Sequence, residues 1–177
     1  MFMDDANTAP ASTWYDRVLD MLIEFSATIA TLGLAAIVVM YSIEIFSRYF
    51  LNAPTTWAND FIVFTLCASI FLMMPEITRS GGHVAVTLLT DSLPVAAQNG
   101  ARRILTLFGS GVCLFAAYIS LQANLEQYFQ GLETVTTITT PKWLITMYIT
   151  YGLFVSALEF LRQTIAGKPA ASATLIG

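Results

Sequence analysis

Charge is what this sequence has least of: 11% of its 177 residues are Asp, Glu, Lys or Arg, against roughly a quarter in soluble domains. So few charged groups cannot cover a folded surface in the way water requires, so water is not the main solvent of this chain. Basic residues are the scarcer sign, eight in all, with a net charge of -4. That excludes nucleic acid as a partner, because a phosphate-binding surface needs clustered Lys and Arg. Histidine occurs once, at His83. One imidazole cannot build a bis-His haem anchor within the chain or a Ser-His-Asp site at membrane depth. Catalysis is therefore not expected, and His83, following Gly81-Gly82, reads as a turn or interfacial residue. The two cysteines, Cys67 and Cys113, lie in apolar stretches without CxxC spacing. Packing is their expected role, not zinc binding or a disulfide framework. No basic residue precedes Arg17, and Asp4 and Asp5 stand near the start. That is the wrong charge pattern for a cleaved signal peptide, so the first apolar segment is expected to remain in the mature protein.

What the sequence has in abundance is apolar length, with 56% hydrophobic residues. Charge-free runs cover 25–43, 61–75, 104–125 and 143–158, and a bilayer core needs about 20 residues of helix. With flanking residues added, the expected spans are about 22–48, 58–78, 102–126 and 141–162. Charges at their ends then fall near the membrane interfaces, where they are tolerated. The expected fold class is an all-α integral membrane protein of four transmembrane helices. It forms a single domain over 1–177 with flexible termini at 1–13 and 166–177.

Two further segments are expected at the membrane surface. Trp14, Tyr15, Val18, Leu19, Leu22 and Ile23 share a helical face opposite Asp16, Arg17, Asp20 and Glu24, an amphipathic extension running into the first span. If helical to Phe50, that segment is about 55 Å long at ~1.5 Å per residue and must tilt, bend or project from a ~30 Å core. Residues 84–93 are apolar but too short to cross and lie between Gly81-Gly82 and Pro94. They read as a short interfacial helix.

Six of the eight basic residues, Arg17, Arg79, Arg102, Arg103, Arg162 and Lys168, fall on the side of the N-terminus, against Arg48 and Lys142 on the other. The positive-inside rule then places both termini in the cytoplasm. A free-standing transporter keeps ionisable residues near mid-membrane or breaks its helices there. Here the span centres carry mainly Ser, Thr and Asn124, residues that serve helix packing. Gly109 and Gly111 are expected to admit a neighbouring helix closely. The four helices read as support for a partner, not as a pathway.

Three short motifs occur in order: Glu44-Ile45-Phe46-Ser47-Arg48-Tyr49, Trp57-Ala58-Asn59-Asp60, and Arg79-Ser80-Gly81-Gly82-His83-Val84. With Pro141-Lys142-Trp143 before the last span, the pattern resembles the small membrane subunit of tripartite ATP-independent periplasmic (TRAP) transporters, the DctQ family. Asn59 stands where that family usually has an acid, and Thr87 where an Asp commonly follows. The resemblance implies a non-catalytic scaffold subunit in the bacterial inner membrane. It also implies sodium-coupled uptake of an organic acid or similar solute with a large multi-span membrane subunit and a periplasmic solute-binding protein. No cofactor is expected in this chain, and sodium would bind the large subunit. The alternative is an anchoring or assembly subunit of another membrane complex.

The matching residues have physical roles available. Glu44 and Arg48 are spaced i,i+4 with the acid first, the favourable order on a helix. Asp60 opens the next helix, where the macrodipole favours negative charge and Arg48 is within reach. Tyr49, Trp57 and Trp143 suit an aromatic belt. Arg79, Gly82 and His83 form the turn after the second span. Ordinary interfacial placement with snorkelling arms is the competing reading for the charged residues.

Overall fold

The computed structural model describes residues 14–52, 55, 57–80, 95–134 and 140–166. They form four helices: α1 (Trp14–Phe50), α2 (Ala58–Arg79), α3 (Val95–Gln130) and α4 (Lys142–Ala166). All four contain segments long and apolar enough to cross a membrane. The expected interfacial helix over 84–93, together with Gly82, His83 and residues 1–13 and 167–177, lies outside the described residues.

The helix ends follow from local chemistry. After Phe50, Asn52 adopts a positive φ of 51° that ends the helical path of α1. The first turn of α2 carries Asp60, complementing the positive end of the helix dipole. The α2 helix continues through Pro75 to Arg79. Gly131 terminates α3 at φ 60°. Its N–H donates to Tyr128 O (3.3 Å) and that of Leu132 to Gln127 O (3.1 Å), the two bonds of a Schellman cap, which needs the left-handed conformation glycine adopts without strain.

The N-terminal end of α1 meets the C-terminal ends of α2 and α4, so the chain reverses at each connection. We call this the terminal end, and the opposite one the loop end. The α4 helix is central: it contacts α3 and α2 extensively and the first turns of α1, while α1 otherwise packs on α2. Among the described residues α1 and α3 make no contact with each other. The arrangement is therefore an open row, α1–α2–α4–α3, in which α2 and α4 run parallel.

Two small apolar cores hold the row. Leu19 and Ile23 of α1 bury against Val155, with Tyr151 and Leu158 around them. Cys113, Ala157 and Phe160 form the second core with Met74. The surface pattern is the reverse of a soluble protein's. Val38 and Phe115 are each 66% exposed, whereas Ser110 is 3% and Glu159 2% exposed. Apolar groups outside and polar groups inside suit a lipid solvent, where polar atoms must find partners within the protein.

Helices approach most closely at glycine. A Cβ at Gly152 would collide with the Phe71 carbonyl of α2, and one at Gly33 would come 2.5 Å from Ser69 Oγ. Pro75 cannot donate to Phe71 O, its i−4 carbonyl, and that carbonyl is the atom facing Gly152. Of the glycines expected to pack closely on α3, Gly109 lies against Phe160 but Gly111 faces open space.

Candidate functional site: polar clamps at both ends of the helices

At the terminal end three helices supply one ionic cluster. Arg162 of α4 places Nη1 2.7 Å from Asp20 Oδ1 of α1 and Nε 2.9 Å from Glu159 Oε2 on its own helix. Arg79 of α2 lies 2.9 Å from Glu76, 3.4 Å from Glu24 and 3.6 Å from Asp20. Asp20 thus stands between both arginines. Gln163 Nε2 donates to Thr78 O at 2.8 Å and to Glu159 Oε1 at 3.2 Å, so it caps a C-terminal carbonyl of α2 while holding the buried carboxylate.

A ladder of uncharged bonds joins α3 to α4 along their length. From the terminal end it runs Thr164 to Thr106 (2.9 Å), Ser110 to Ala157 O (3.2 Å), Ser120 with Thr150 (2.8 Å), Asn124 to Trp143 O (2.8 Å) and Thr146 to Gln127 (2.8 Å). The hydroxyls and amides of this ladder, which lipid could not solvate, are answered by the facing helix.

At the loop end the smaller clamp centres on Glu44, which is buried. Arg48 Nη2 donates to its Oε1 at 2.7 Å and the Thr55 N–H to Oε2 at 3.1 Å. One carboxylate therefore anchors both its own helix and the connection toward α2. Among the described residues, no group of three His, Cys, Asp or Glu side chains is placed to hold a metal. Chemically, these clusters can hold helices in place.

The model for the DctQ component of tripartite ATP-independent periplasmic transporters matches residues 19–167. The chain belongs to this family. It is 22% identical over 148 residues to the ectoine TRAP transporter small permease protein TeaB of Halomonas elongata, covering 83% of this chain and 76% of that one. A DctQ subunit is a transport component and not an enzyme. The four apolar helices agree with a multi-pass protein of the inner membrane.

Within this DctQ chain the residues singled out by sequence fall into separate places. Glu44 and Arg48 meet directly. Asp60 lines an apolar groove of about 330 Å³ together with Ile29 of α1 and Tyr148 of α4. Tyr49 is exposed. Trp57 is exposed and edge-on to Phe61 at 6.0 Å, and Trp143 is edge-on to Tyr128 at 5.7 Å. Arg79 belongs to the terminal-end cluster, at the opposite end of α2 from Asp60.

Sequence reasoning missed the clamp of Asp20, Glu159, Arg162 and Gln163: it put Asp20 on the polar face of the first helix and Arg162 near an interface, and gave Gln163 no role. It also put Leu19 and Ile23 on one apolar face with Trp14 and Val18, without a partner for that face. The structure buries both against α4, while Trp14 and Val18 stay exposed and Asp20 and Glu24 turn toward the arginines. A signal was available in the repeated acid-x-x-Arg spacing of Glu76–Arg79 and Glu159–Arg162, two like motifs that the topology brings to the same end.

Proposed function

We propose that this TRAP small permease subunit is a static scaffold. It would steady a large multi-span membrane subunit that binds sodium and an organic acid or similar small solute delivered by a periplasmic binding protein. The observation that carries this reading is the placement of ionisable groups. Every Asp, Glu, Lys and Arg on the described helices lies toward a helix end, where the partners resolved are side chains and backbone of neighbouring turns or helices. Mid-span positions hold hydroxyls and apolar groups, so the described helices offer no charged site at the depth where transporters bind ions. The proposed orientation, with both termini cytoplasmic, rests on the excess of Lys and Arg at the terminal end. Sodium coupling and the solute class come from the family resemblance. Ectoine, named for the related transporter, is one candidate solute.

Affinity purification of the chain in mild detergent tests the class of complex. A co-purifying multi-span permease supports the proposal. A haem or flavin enzyme in its place would move the chain to the anchoring subunit of a different assembly.

A further inference from the structure

The outer face of the α3–α4 pair carries a groove of about 470 Å³. Leu114, Ala117, Tyr118 and Leu121 of α3 form one wall, Met147 and Phe154 of α4 the other. From Leu114 to Asn124 it runs about 15 Å along the helix axis at ~1.5 Å per residue, half of a ~30 Å hydrocarbon core. It occupies the first half of α4, toward the loop end, so it belongs to one leaflet. Tyr151 lies at its inner end and reaches across to Leu22 O of α1 at 3.4 Å.

Beside the groove, an uncharged polar pair is anchored on one of its wall residues, Tyr118. Gln122 Nε2 donates to Tyr118 Oη at 2.7 Å, and both side chains are exposed. This leaves the tyrosine hydroxyl proton, a second amide proton and the amide oxygen available to a further partner. Such groups facing hydrocarbon are costly unless something answers them. The Tyr128–Trp143 aromatic pair stands just beyond, where belt residues mark the headgroup level.

We propose that the α3–α4 groove is a binding site for a glycerophospholipid of the loop-end leaflet. One acyl chain lies along the groove, and the glycerol ester carbonyls accept hydrogen bonds from Tyr118 and Gln122. The half-membrane length decides the occupant: a membrane-spanning partner helix needs the full core thickness, and an acyl chain needs one leaflet. The neutral hydrogen-bonding edge matches ester carbonyls and requires no particular headgroup. The site is independent of the scaffold role, since it is built within this chain.

The test is photolabelling of the full chain in vesicles of phosphatidylethanolamine and phosphatidylglycerol doped with a phospholipid bearing a diazirine in one acyl chain. Labelled residues are mapped by peptide mass spectrometry. Label at Leu114, Leu121, Met147 and Phe154 is expected several-fold above that at Val38 and Val39, equally apolar residues exposed on α1. Met147→Trp, at an exposed position, should fill the groove and abolish the excess without changing the α1 label. Tyr118→Phe with Gln122→Leu should reduce the amount of phospholipid retained through detergent washing, read by native mass spectrometry. Equal labelling of both faces, or an excess untouched by these variants, overturns the proposal in favour of bulk lipid. Loss of the groove label when a membrane partner is added, with no phospholipid retained, overturns it in favour of a protein occupant.

Discussion

Arg162 of α4 and Asp20 of α1 meet at 2.7 Å across the terminal end of the molecule, although 142 residues separate them in sequence. The pair links the first turns of α1 to the last turns of the central helix. Glu159, 2% exposed, depends on the same guanidinium. Removing Arg162 takes both guanidinium contacts from the buried Glu159 carboxylate, leaving it the Gln163 amide, and also breaks the tie to Asp20. Breaking a buried pair from one side costs about 3–5 kcal/mol. Arg162→Ala is therefore expected to lower the thermal stability of the detergent-purified chain severely, measured by a fluorescence-monitored melt. Glu159→Gln should restore part of that loss in the double variant.

The loop-end clamp should be weaker. The Arg48 side chain is 61% exposed, and Glu44 retains the Thr55 N–H when the arginine is lost. Arg48→Ala then leaves a buried acceptor partly answered, at about 1–3 kcal/mol. In the same melt it should rank between wild type and Arg162→Ala. An effect equal to that of Arg162→Ala would show Arg48 to be buried by contacts other than Glu44.

Glycine substitutions separate close approach from open surface. Gly152→Ala drives a methyl into the Phe71 carbonyl, and overpacking of this kind costs about 1–3 kcal/mol. Gly111→Ala meets nothing within the chain and relieves the entropy cost of a helical glycine, so it should be neutral or stabilising by up to ~1 kcal/mol. Denaturation of the two variants side by side in detergent checks the ranking.

Orientation is tested with single cysteines in a background lacking Cys67 and Cys113. Asn52 and Gly131 both have positive φ, which strains a cysteine there, so the exposed neighbours Leu51 and Gln130 are the better loop-end positions. Leu51→Cys and Gln130→Cys should react with an impermeant reagent added outside cells, and Ser80→Cys should not. The reverse labelling would place the termini outside.

The helices were legible from sequence and their partners were not. Long apolar runs bounded by charge are enough to mark α1 through Phe50 and α4 from Lys142, because hydropathy reports directly on the length a bilayer demands. In lipid, however, apolar residues surround a helix on all sides, so periodicity does not tell which face of α1 meets α2 or that α4 lies at the centre. Leu19 and Val18 are both apolar neighbours, yet one is buried and the other exposed. The Glu44–Arg48 pair was visible because it is local, i,i+4 on one helix. The Asp20–Arg162 pair, and the proline-freed Phe71 carbonyl against Gly152, depend on how distant helices align.

The scaffold role is tested most directly by sodium-driven uptake in proteoliposomes containing this chain alone, the large membrane subunit alone, or both, with the solute-binding protein supplied outside. The chain alone should give no uptake, the large subunit alone weak uptake, and the two together full uptake with unchanged apparent affinity for sodium. Uptake by this chain alone, or a change in sodium affinity caused by substituting residues on its four helices while the complex still assembles, would contradict a scaffold without a transport site.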